Sequence, residues 1–115
     1  MLATIKPKLP LSQVIFIHDY VQLVFQEARF TLYNEVTIAI NEGLVAQGQV
    51  GFADALVGLL EQKVESASAT ALYSLELSFE QGAVVRVSRY DIHNPGPEAF
   101  MIHTDEGGIE IEMNE

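Results

Sequence analysis

Hydrophobic and polar residues alternate in short runs over most of the chain, and one stretch departs from that period. The β-branched run Val14 to Ile17, which follows Pro7 and Pro10, predicts a buried strand. Val21, Leu23 and Phe25 share one face of a second strand, and Phe30 to Tyr33 resumes after a polar connection, the pattern of a hairpin. Glu35 to Ile40 alternates again and stops at the turn composition Asn41-Glu42-Gly43, so three or four strands precede Gly43. Between Gly48 and Lys63 the period changes. Phe52, Leu56, Leu59 and Leu60 fall at helical spacing with Asp54 in the first turn, which predicts a main helix over about 51–62 facing the core through its leucines. Gly58 in its middle marks either a close approach to the sheet or a tolerated defect in the helix.

Beyond the helix, Ser66, Ser68 and Thr70 alternate with alanines, as on an exposed or edge strand. Leu75, Leu77 and Phe79 share a face, Gly82 supplies a turn, and Val84 to Val87 returns as a second hairpin. Asn94-Pro95-Gly96-Pro97 interrupts the chain before a strand over 98–103. The turn Asp105-Glu106-Gly107-Gly108 then leads into Ile109 to Met113, with Ile109, Ile111 and Met113 expected inward and the two glutamates outward. An offset of 54 residues superposes the two hairpins, Leu23 on Leu77 and Phe25 on Phe79, with both turns in step. Either a repeat or the similarity of any two half-buried hairpins explains this. The expectation is one α+β domain over residues 1–115, strand-rich at 14–41 and 64–113. Its sheet is mostly antiparallel, built from two hairpin-containing halves, with the one main helix packed on it.

Composition narrows the function. A length of 115 residues with 49% hydrophobic content is enough for one core without disulfides, and cysteine is absent. The formal charge of −10 opposes nucleic acid and anionic membranes, so neither is an expected partner. Met1 to Pro10 shows no signal-peptide pattern and no window reaches a membrane-spanning length of apolar residues, which leads to the expectation of a cytoplasmic protein. The charge is also unevenly placed. Residues 1–90 carry all six Lys and Arg and a net −3, whereas residues 91–115 carry seven acids, no base and a net −7. One explanation is an edge strand protected from aggregation by its glutamates. The other is an acidic docking surface that steers a basic partner, formed by Asp91, His93, Glu98, Asp105, Glu106, Glu110 and Glu112.

Catalytic chemistry has little to stand on. His18 adjoins Asp19, and Asp91/His93 and His103/Asp105 are spaced so that each couple would share a strand face. No cysteine nucleophile or Gly-x-Ser-x-Gly turn completes a triad, and Gly43, Gly48, Gly51 and Gly58 lack phosphate-loop spacing. The expectation is therefore a protein that is not an enzyme, without catalytic residues, metal or cofactor.

Four segments together resemble small bacterial α+β domains of poorly defined activity. They are Tyr20-Val21-Gln22-Leu23-Val24-Phe25 followed by Leu32-Tyr33-Asn34, the helix into Leu56-Val57-Gly58, Leu75 to Gly82, and Gly96-Pro97-Glu98-Ala99. Some members of that group are similar to immunity proteins of contact-dependent inhibition and other polymorphic toxin systems. The resemblance implies a bacterial, cytoplasmic inhibitor that occludes a basic toxin, in first place a nuclease. The alternative is a housekeeping or regulatory binding module, homodimeric through an exposed sheet edge, whose acidity serves solubility.

Overall fold

The structure, a computed structural model, describes residues 6–41, 43–90, 98–105 and 107–113. Ten strands and one short helix succeed one another along these residues. They are β1 (Leu11–Ile17), β2 (Tyr20–Phe25), β3 (Ala28–Leu32), β4 (Val36–Ile40), β5 (Gly43–Ala46), α1 (Phe52–Val57), β6 (Val64–Ser68), β7 (Tyr73–Phe79), β8 (Val84–Ser88), β9 (Glu98–Thr104) and β10 (Ile109–Met113). They form two five-stranded sheets, ordered β1-β2-β3-β9-β10 and β5-β4-β8-β7-β6, with every pairing antiparallel.

This corrects the α+β expectation. The fold is a two-sheet β structure, and the helix is six residues long rather than spanning 51–62. Its periodic leucines are buried by another route. After Val57 the chain continues in tight turns, with Leu59, Leu60 and Gln62 each donating to the carbonyl three residues back. Glu61 adopts a positive φ of 71°, and its N–H donates to Leu11 O while Gln62 O accepts from Leu11 N–H. The chain is thus captured by the start of β1, and Leu56 and Leu59 still reach the core. Gly58 makes no close approach to a sheet: it is exposed, and a methyl group there would meet only the carbonyls of Asp54 and Ala55 at 3.4 Å.

Both predicted hairpins form, but β4 does not extend the first one. At Tyr33 to Glu35 the chain leaves the first sheet, and β4 pairs with β8; β9 in turn pairs with β3. The two sheets therefore share one plan, a three-stranded meander completed by the last hairpin of the other half. Buried Asn34 ties the crossing, its Nδ2 donating to Ser88 O at 2.8 Å while Ser88 N–H donates to Glu35 O at 3.0 Å. The offset of 54 holds for β2 against β7, but the turns are not in step. Phe25 and Ala28 enclose two residues, whereas Phe79 N–H bonds to Ala83 O around three, with Gly82 at φ 100° in the left-handed position that such a loop requires.

A single core joins the sheets: Val21, Leu23, Phe30, Leu32, Phe100 and Ile102 from one, Ile38, Leu75, Leu77, Val85 and Val87 from the other. Strand β1, expected to be buried, is an edge strand whose Phe16 is exposed; only Leu11 is fully buried along it. Strand β6 is the edge strand its alternating small residues indicated.

Candidate functional site

Two cross-strand rows locate the acidic residues. On the inner face of the first sheet, Leu23 lies opposite Phe30, Phe30 opposite Ile102, and Ile102 opposite Glu110. Val21, Leu32, Phe100 and Glu112 make the parallel row. Each core row therefore ends in a half-buried carboxylate on β10. The outer face carries the apolar side chains: Ile109, Ile111 and Met113 are 57, 39 and 51% exposed.

The expected orientation of this strand is thereby inverted. Alternation in Ile109 to Met113 shows that the two faces differ but cannot say which is inward. The turn decides. Thr104 N–H bonds to Gly108 O at 2.8 Å, Gly107 N–H bonds to Thr104 O at 3.1 Å, and Gly107 takes a φ of 86°, which sets Ile109 opposite His103 and Glu110 opposite Ile102. With Ile102 committed to the core, Glu110 must share its side of the sheet. The loop composition Asp105-Glu106-Gly107 was the signal that could have revealed this register, since glycine is favoured at the third position of a three-residue hairpin loop.

The remaining predicted residues are scattered. Asp91, His93 and Glu106 lie outside the described residues. Glu98 opens β9, half-buried opposite Met113, and Asp105 is exposed in the turn. Burial, together with the charge of Glu98 and the neighbouring Tyr20, raises the pKa of the Tyr33 phenol, against the opposing influence of Arg29. Asp105, Glu110 and Glu112 have no hydrogen-bonded or ionic side-chain partner among the described residues, and Glu110 Oε2 is shielded from solvent without a donor. By contrast, Glu76 is paired with Arg86 Nε at 2.6 Å, and Glu27 Oε1 accepts from the N–H groups of Lys8 and Leu9.

Chemistry elsewhere is sparse. His103 is half-buried on the outer face with Nδ1 unpartnered, and His18 is exposed in the β1–β2 turn beside Asp19. No cluster of three His, Cys, Asp or Glu suited to a metal ion occurs among the described residues. A cavity of about 440 Å³ opens beside α1, with Leu59 and Ala83 at its floor and Asp54, Gln62 and Gln81 at its wall. Among the described residues Asp54 is its one ionisable lining group, set among the amide side chains of Asn41, Gln62 and Gln81, and no nucleophile paired with a base lines it. Sequence reasoning did not anticipate this cavity, because it arises where the truncated helix meets the β4 and β8 ends.

Comparison with protein-family models, curated proteins and solved structures finds no match to this chain. No helix among the described residues is long and apolar enough to cross a membrane.

Proposed function

We propose that this protein is a non-catalytic capture module that binds a basic protein through the β9–β10 edge, acting as an inhibitor or immunity protein towards a basic toxin. The observation that carries this reading is the placement of charge. Residues 91–115 hold a net −7 with no base, and Asp105, Glu110 and Glu112 on this hairpin have no charged partner of their own among the described residues. Carboxylates not neutralised within the fold leave a negative field outside it, which speeds encounter with a cationic surface by roughly 10- to 1000-fold at low salt. A toxin whose cleft binds phosphate would meet in these groups a substitute for its substrate's charge. The exposed Ile109, Ile111 and Met113 also favour an intermolecular contact, which a homodimeric module would share.

The reading is tested by affinity capture from the source organism at low and raised salt, followed by stopped-flow association with the captured protein. A basic partner released by salt is expected, with Glu110→Lys and Glu112→Lys together slowing association more than Glu61→Lys and Glu65→Lys. Equal effects from both pairs would remove the edge as the site, and a neutral, salt-insensitive partner would overturn the reading.

A further inference from the structure

The four sheet edges are not equivalent. β1 is engaged at its start by Glu61 and Gln62 and has a register break between Leu11 and Gln13. β6 carries another break and presents Glu65, Ser66 and Ser68 to solvent. β5 is four residues long. β10 is five residues long with its only irregularity at the Glu112/Met113 end, and β9 is its only strand partner among the described residues. Among the described residues no strand pairs with the other side of its backbone, and its outer face carries three exposed apolar side chains. An uncovered edge of that kind is a template for another strand.

Its charges select which strand. A partner side chain opposite Glu110 or Glu112 lies on the carboxylate face, and one opposite Ile109, Ile111 or Met113 lies on the apolar face. A second copy of this chain is a poor occupant. Antiparallel pairing about Ile111 would set Glu110 against Glu112 of the other copy twice over, and like charges directly opposite are destabilising. Inward-pointing charges at an edge are a known guard against such self-association. The same charges suit a strand that brings cations to those positions, and Glu110, with one oxygen held from water and no donor, lacks what a lysine or arginine supplies.

We infer that β10 is a strand-addition site that takes an extended segment of a basic protein in which lysine or arginine alternates with apolar residues. Main-chain hydrogen bonds extend the first sheet to a sixth strand, the basic side chains face Glu110 and Glu112, and the apolar ones continue the Ile109, Ile111 and Met113 row. This rests on the capture reading above and adds the geometry of engagement, which charge alone does not specify.

The test uses the whole protein and three short synthetic peptides: one alternating lysine and valine, one with the same composition in two blocks, and one alternating glutamate and valine. Binding is followed by titration and by amide hydrogen exchange at Ile109 to Met113. The alternating basic peptide should bind about tenfold tighter than the block peptide and slow exchange on β10. A variant carrying Glu110→Lys and Glu112→Lys should instead prefer the alternating acidic peptide, a change of preference that an unfolded variant would not show. Equal binding of both basic peptides without protection of β10 would overturn strand addition and leave electrostatic capture standing. Failure of both basic peptides to bind would overturn the two together. Protection of β10 that rises with protein concentration in the absence of peptide would assign the edge to a second copy and overturn the inference.

Discussion

Tyr33 and Asn34 sit where the chain passes from one sheet to the other, and each reports on that junction. The Tyr33 phenol is held protonated by burial and by Glu98, above the ordinary value of 10.0. The folded protein therefore keeps this proton more tightly than the unfolded chain does. The stability this contributes is complete below pH 10.0 and is lost as pH rises through the higher folded value. In a spectrophotometric titration of the four tyrosines, Tyr33→Phe should remove a late-ionising component. Asn34 is fully buried, and its amide donates to Ser88 O across the crossing. Asn34→Ala should cost about 0.5–1.5 kcal/mol in denaturant unfolding for the lost hydrogen bond, since the Ser74 hydroxyl at 3.4 Å remains a donor to Ser88 O.

Individual elements show where local preference prevailed. The β7–β8 loop needs a left-handed residue at its third position, and Gly82 supplies it at φ 100° with open space around its Cα. Gly82→Ala should therefore destabilise by about 1–2 kcal/mol through backbone strain alone. Gly58 is the contrast. Its φ of −63° is ordinary for any residue and no sheet lies against it, so Gly58→Ala should be neutral or stabilise by up to about 1 kcal/mol in the same measurement. Reversal of that ranking would mean that the helix end packs differently. The helix itself stays short because the segment after Val57 finds backbone partners in β1, and six residues alone are too few to hold a helix without tertiary support.

For the whole molecule, the interleaved topology ties the halves together. Each sheet takes its final hairpin from the other half of the chain, so neither half contains a complete sheet. A chain cut at the exposed Val50 should give two fragments that are each unfolded and that regain β-sheet circular dichroism only when mixed. A folded isolated fragment would contradict this dependence. The charge is organised on the same scale. Most of the net −10 lies after residue 90, and the strands there belong to the sheet that also holds the N-terminal meander.

The strands were legible because alternation with period two is a local property: Leu23 and Phe25, Leu75 and Leu77, and Ile109 and Ile111 mark their segments without reference to anything distant. Charge placement was legible for the same reason, being a matter of counting along the chain. The sheet membership of β4 and β9 was not, because a strand's alternation says nothing about which neighbour it will pair with. Helix length over 51–62 failed likewise. The leucine spacing was real, but hydrogen bonds from Glu61 and to Gln62, both involving the distant Leu11, determined where helical structure ended. In the acidic hairpin, sequence alone established an alternating strand with two glutamates, and tertiary structure decided that those glutamates terminate the core rows while the isoleucines face outward. The physical reason is that register is set by a turn and by the strand on the other side of it, and one step of register exchanges the two faces of every residue in the strand.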